Sequence, residues 1–189
     1  MSKKIFAGVD EVGRGCLAGP VISCALVLKK NINKKFIKDS KTIPFRDRIK
    51  IAKYIKKNSW YAIGLASVKE IDKYNIFNAT LLSMERAIKK LKKKPHLFLI
   101  DGTHAPKKLK NSKTVVRGDQ KIKCISAASI VAKGYRDLYM IKLGNRFPQY
   151  KWDKNFGYGT WQHLGALKKF GVTNYHRKSY GPVHNILSK

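Results

Sequence analysis

Apolar and polar positions along this chain recur with periods that change several times, and the changes mark its elements. Residues 5–10 form a short apolar run that predicts a buried strand, and Gly13, Gly15 and Gly19-Pro20 then punctuate a turn. Residues 21–28 are almost continuously apolar and predict a second strand. Phe45, Ile49, Ala52 and Ile55 share one face of a predicted amphipathic helix, and residues 61–68 read as a third strand. Short turns between early β elements suggest an antiparallel meander. After Glu70 the period changes. Phe77, Leu81, Met84, Ile88 and Leu91 fall at three- and four-residue steps, and Pro95 closes that helix. Its basic end, residues 89–94, reads as a solvated terminus favoured by the helix dipole, with phosphate contact as the other reading. Residues 96–100 predict a strand ending at Asp101-Gly102, and residues 114–116 another ending at Gly118-Asp119. Residues 125–143 predict a second long helix, whose Ala127, Ala128, Ser129 and Ala132 permit close packing on a sheet. Strand and helix alternate in this half, which implies parallel crossovers. The segment from 147 is aromatic-rich, with a predicted helix over about 162–170 and a tail.

The sum is an α/β fold: a meander joined to parallel strands, with helices on the faces. The 189 residues suit one domain, and no repeat or linker divides them. Lys plus Arg number 41 against 11 acids, a net charge of +30 that attracts polyanions. Only eight of the basic residues are Arg, and Ile and Asn are abundant, so AT-rich codon usage is a second source of the lysine excess. Three cysteines without CxxC spacing indicate neither a disulfide framework nor a zinc site. No signal-peptide pattern opens the chain, and no apolar run approaches the ~20 residues of a membrane span. The expectation is a cytoplasmic protein without membrane contact.

With so few acids, their placement is informative. Asp10 ends the first strand, Asp101 ends a later one, Asp119 precedes a helix and Asp137 lies within it. Strand ends are where sites assemble in open α/β sheets. Clusters of carboxylate oxygens suit Mg²⁺ or Mn²⁺. Taken singly, Asp119 reads as a helix-start residue and Asp101-Gly102 as a turn. Asp10-Glu11 is different, because adjacent carboxylates after an apolar strand repel. Neighbours in a regular strand face opposite ways, so both reach one ion only if the strand bends or ends at Glu11. Gly13-Arg14-Gly15 follows at once; its glycines admit close backbone approach and its Arg can pair with phosphate.

The segments GVDEVGRGCLAGPV (8–21), DSK (39–41), NIFNATLLSM (75–84), DG (101–102), VVRGDQKIKCISAASIVAKGYRD (115–137), GYGTWQHLGAL (157–167) and HRKSY (176–180) together resemble bacterial type 2 ribonuclease H, ribonuclease HII. The resemblance runs in order through most of the chain. It implies the ribonuclease H-like fold with a mixed five-stranded sheet and a C-terminal helical extension, about 147–189, that contributes to substrate binding. It implies an endonuclease acting on RNA–DNA hybrids and on DNA duplexes containing ribonucleotides, cutting 5′ of a ribonucleotide to leave 5′-phosphate and 3′-hydroxyl ends. Asp10, Glu11, Asp101 and Asp119 take the role of carboxylates holding two divalent ions, Mg²⁺ or Mn²⁺, with Asp137 as an additional acid. Gly13, Arg14 and Gly15 match the motif that reads the ribose 2′-hydroxyl, Tyr158 its stacking partner, and Lys41 a phosphate contact.

Gly134 departs from the pattern, where a β-branched residue is usual, at about 1 kcal/mol of helix propensity. Pro44 replaces the usual Ser before the first helix. No sliding-clamp peptide is recognisable, and a monomer is expected. His104, His163, His176 and His184 are too dispersed for a zinc cluster; residues 176–178 read either as a nucleic-acid contact or as a solvated turn. Competing readings are a non-catalytic basic RNA-binding protein, a type 3 ribonuclease H, for whose extra N-terminal domain Asp10 comes too early, and a resolvase.

Overall fold

The structure, a computed structural model, describes residues 4–37, 40 and 42–188. Strands β1 (Phe6–Val12), β2 (Val21–Leu28), β3 (Ser59–Ala66), β4 (Leu97–Asp101) and β5 (Ser112–Val115) form one sheet in the order β3-β2-β1-β4-β5. β2 is antiparallel to β1 and β3, whereas β4 runs parallel to β1 and β5 parallel to β4. The meander and the parallel half are therefore as expected. The β4–β5 crossover is made by residues 102–111 without a helix.

Alternation along the strands builds two cores. Ala7, Val9, Ala25 and Val27 face α2 (Val68–Lys90), packing on Met84 and Ala87. Cys24 and Leu26 face α1 (Phe45–Lys57) and α4 (Lys123–Arg146), meeting Ala52, Ile55, Ala127 and Val131. A third cluster of Leu17, Met140, Tyr150, Trp152, Leu167 and Val183 fastens the C-terminal segment to the far end of α4. That segment carries α5 (Trp152–Asn155), α6 (Trp161–Phe170) and α7 (Gly181–Leu187), while α3 (Gly118–Lys121) precedes α4.

Several boundaries differ from expectation for local reasons. β3 stops at Ala66 because Ser67 caps α2: its Oγ accepts from Glu70 N at 3.3 Å, and Glu70 Oε2 accepts from Ser67 N at 2.8 Å. Asn75, at φ 64°, interrupts α2, and its Oδ1 accepts from Asn78 N at 3.0 Å to restart the helix. The tail is not irregular, since α7 forms there. Gly134 proves to be a contact residue; a Cβ there would stand 3.1 Å from Ala52 Cβ, so its absence lets α1 and α4 approach. Pro44 caps α1 with no side-chain hydrogen bond, as its chemistry requires.

Candidate active site

The site begins where the sheet splits. The β1–β4 ladder ends at Val9↔Ile100, so the next residue on each strand, Asp10 and Asp101, stands at the opening. Of the two expected possibilities, a bend or an end at Glu11, β1 does not end there; it stays paired with β2 through Val12↔Ile22. Asp10 consequently faces α4, where the Ser129 side chain hydrogen-bonds it, and Glu11 faces α2. Glu11 lines a cleft of about 270 Å³ with Phe77, Thr80, Met84, Asp101 and Gly102. Asp101 is what joins the two, because its charge acts on both. Burial, then Glu11 and Asp101, drive the Asp10 carboxyl well above the usual carboxylate range. Burial raises Glu11 too; Arg14, 3.5 Å away, opposes the shift and Asp101 adds to it.

Asp101 Oδ1 accepts from the backbone N–H of Gly118 at 2.7 Å and of Asp119 at 3.3 Å, which ties β4 to α3. Asp119 is buried there, and its carbonyl accepts from Ser126 Oγ. Four of the expected acids thus come together around one strand end. The set is all oxygen, and Asp10, Glu11 and Asp101 repel one another, which a hard divalent cation would relieve. Among the described residues the side chains do not stand as a ready ion cage. Asp137 is not brought to this group. Eight residues beyond Ser129, it lies about 12 Å further along the helix axis. Its Oδ2 is 2.8 Å from Arg48 Nη2 and its Oδ1 2.7 Å from Lys133 Nζ, so both oxygens serve buried or half-buried cations.

The loop over residues 13–20 is held from beneath by two arginines. Gly13 adopts φ 93°, and any Cβ there would collide with Arg136. Arg136 donates to the carbonyls of Ala18 (2.9 Å), Pro20 (3.0 Å) and Phe156 (2.8 Å). Arg177 donates to those of Gly13 (2.6 Å), Arg14 (2.7 Å) and Gly19 (2.9 and 3.0 Å), and to Tyr180 Oη (2.9 Å). Both arginines are fully buried, and among the described residues neither meets a carboxylate; carbonyl dipoles carry their charge, joined for Arg177 by the Tyr180 hydroxyl. Arg14 itself points outward and Gly15 has open space around its Cα.

Tyr158 is delivered to the same place. Leu17 N donates to Gly157 O at 2.8 Å, and the Tyr158 ring is 41% exposed with Lys133 Nζ 5.9 Å from its centre. Its carbonyl accepts from His163 Nδ1 at 2.9 Å. Trp152 Nε1 donates to His163 Nε2 at 3.0 Å, which places the His163 proton on Nδ1. His176 Nε2 lies 3.1 Å from the same atom. His176 and Arg177 are therefore interior residues, and neither reading offered for 176–178, nucleic-acid contact or solvated turn, holds for them. The position expected of Lys41 lies outside the described residues. Arg136, Arg177 and Ser129 were not anticipated; an arginine between Ala132 and Met140 on an apolar helix face was the available signal for the first.

Solved structures of similar shape place this fold among the ribonucleases H. Ribonuclease H2 from Pyrococcus horikoshii OT3 superposes with a TM-score of 0.82 at 24% identity, covering 97% of each chain. Bst-RNase HIII in complex with Mn²⁺ gives 0.74 at 14% identity over 98% of this chain and 70% of that one. Sequence narrows the class. A family model described as Ribonuclease HII matches residues 7–183. Ribonuclease HII of Pelagibacter ubique (strain HTCC1062) is 57% identical over 186 residues, 97% of this chain and 100% of that protein. The chain belongs to the ribonuclease HII family and is a type 2 ribonuclease H endonuclease.

Proposed function

We propose that this enzyme hydrolyses the RNA strand of RNA–DNA hybrids and nicks duplex DNA 5′ of a single embedded ribonucleotide, leaving 5′-phosphate and 3′-hydroxyl ends, in ribonucleotide excision and primer removal. The observation that carries the reading is the juxtaposition of Asp10 and Asp101, at the split between β1 and β4, with a loop braced by Arg177. Asp10, Glu11, Asp101 and Asp119 would hold two divalent ions, Mg²⁺ or Mn²⁺, which supply nucleophile activation and leaving-group stabilisation when bound. Because Asp10 and Glu11 flank the strand from its two faces, shared ions belong beyond the strand's edge, beside Asp101. Asp137 is left out of the ligand set, since Arg48 and Lys133 already occupy both oxygens. Its role is to hold Lys133 beneath Tyr158.

The chain's own groups then divide the substrate. Arg14, 51% exposed, meets a phosphate. The carbonyls of Gly13 and Arg14 already accept from Arg177, so the ribose 2′-hydroxyl is assigned to the amides of Arg14 and Gly15. Tyr158 stacks on the neighbouring sugar, and residues 147–189 serve as a binding extension of a monomeric catalytic unit. The deciding experiment incubates a duplex carrying one ribonucleotide with Mg²⁺, Mn²⁺ or chelator, using wild type and Asp10→Asn. Nicking that requires metal and falls by about 100-fold or more in the variant is expected. Tight binding without metal-dependent nicking would favour the non-catalytic RNA-binding reading instead.

A further inference from the structure

A broad groove lies away from the carboxylates. Its volume is about 940 Å³, and its walls are the start of β1, the end of β2, the start of β3 and the start of α4. Asp10 and Asp101 occupy the carboxyl ends of β1 and β4, so the groove opens at the other end of the sheet. Phe6 and Trp60, 43% and 40% exposed, both line it, Phe6 from the α4 face of the sheet and Trp60 from the α2 face, so Trp60 is the stacking ring on the side of Lys29 and Lys93. Lys4, Lys29, Lys30, Lys34, Lys93 and Lys123 surround it, and no carboxylate lines it among the described residues. Two of these lysines are aimed at one ring: Lys29 Nζ is 5.6 Å and Lys93 Nζ 5.4 Å from the Trp60 centroid. Two are anchored by backbone carbonyls rather than acids, Lys29 on Lys57 O at 3.1 Å and Lys123 on Ile37 O at 2.8 Å. Outside the groove, Lys89 and Lys133 pair with the carboxylates of Glu85 and Asp137. A lysine-rich composition scatters cations; it does not by itself assemble an acid-free ring of them around exposed aromatics.

We infer that this groove is a second nucleic-acid site, one that binds single-stranded DNA or RNA without cleaving it. A stacking platform within a cationic groove is the arrangement that holds single strands irrespective of sequence, bases on the rings and phosphates on the lysines. A base on Trp60 displaces a lysine from the ring and hands it to the adjoining phosphate. Among the described residues no carboxylate lines the groove to repel a bound strand. The site thus holds single-stranded nucleic acid while the carboxylate site remains available to a hybrid, and it does not depend on the proposed cleavage chemistry.

The test is fluorescence anisotropy of a labelled 20-residue oligothymidylate in chelator, titrated with full-length protein at several salt concentrations. Trp60→Ala is expected to weaken binding about fivefold or more, and Trp60→Phe to recover most of it. The double variant Lys29→Ala/Lys93→Ala should flatten the logarithmic salt slope by about 1.4, two phosphate contacts' worth. A matched pair outside the groove, Lys53→Ala/Lys142→Ala, should change it by less than half as much. Thermal melting by circular dichroism checks that each variant is folded. Equal effects from the two lysine pairs, or no effect of Trp60→Ala in a folded protein, would overturn the assignment. So would poly-glutamate binding as tightly as the oligonucleotide with the same dependence on Trp60, which would mark the groove as a dock for acidic proteins.

Discussion

Replacing Arg177 by methionine removes four donated hydrogen bonds from the underside of residues 13–20 and a fifth from Tyr180 Oη. The Arg14 carbonyl keeps one partner, because Tyr180 Oη also donates to it at 2.5 Å. The Gly13 and Gly19 carbonyls keep none of those bonds, and each buried orphan costs about 1–3 kcal/mol. Together that is about 2–6 kcal/mol, a large part of the ~5–15 kcal/mol that holds a typical domain, so the methionine variant serves only as the extreme. Arg177→Lys is the informative change. An ammonium is compact and cannot span Gly13, Arg14, Gly19 and Tyr180 at once, so about one carbonyl is left bare at about 1–3 kcal/mol. Urea unfolding should report a loss in that range. On substrate, kcat/KM should fall about tenfold or more, and further on a duplex with one ribonucleotide than on a continuous hybrid, because a single 2′-hydroxyl must then be caught by a loosened loop. The metal concentration for half-maximal rate should not move, since Arg177 touches no carboxylate. A lysine variant within about 0.5 kcal/mol of wild type and unchanged in its preference between the two substrates would refute the bracing role.

The acids can be sorted by stability alone: in chelator, Asp10→Asn should stabilise the fold by removing a buried, repelled carboxylate, whereas Asp137→Asn should destabilise it by about 3–5 kcal/mol by leaving Arg48 unpaired. Destabilisation by both would show that Asp10 is structural. Burial and the neighbouring His163 depress His176 to about 3, against an ordinary 6.5, so the unfolded chain binds more protons between these values and stability falls with pH there. Between pH 6.5 and 5 the loss from His176 should be about 2 kcal/mol, and His176→Gln should flatten the slope by that amount, the part due to the buried His163 remaining; parallel urea curves for the two would contradict the assignment. Gly134→Val should cost about 1–3 kcal/mol through collision with Ala52, despite the loss of a helical glycine, and an unchanged unfolding midpoint would show that α1 gives way.

The elements that were legible in the sequence are those with an unbroken period. Residues 21–28, 45–57 and 161–170 lie close to their expected places because their apolar spacing continues to their ends. Residues 67–68 were read into the strand and the helix was read only from Phe77, because a capping box and a positive-φ Asn75 break the pattern within α2. The four acids could be found because strand ends and scarcity single them out, and the match to the family motifs added the rest. The braces could not be found that way. Arg177 sits in a segment without periodicity, and its partners are backbone carbonyls more than 150 positions away in the chain, which no local pattern records. His176 failed for the same reason, as a polar residue whose burial rests on Trp152 and His163. Asp137 illustrates the opposite error: its place beside a motif suggested an ion, while Arg48, far off in sequence, already claims it.

The central claim is that the loop at Gly13–Gly15 selects a ribose and the carboxylates beside it cut there. Mapping the nick on an end-labelled DNA duplex carrying one ribonucleotide, in Mg²⁺ or Mn²⁺, tests it most directly. The account expects a single cut on the 5′ side of the ribonucleotide, with a 5′-phosphate on the downstream fragment and no cut in the all-DNA duplex. Cleavage that ignores the ribonucleotide, or a cut on its 3′ side, would contradict it.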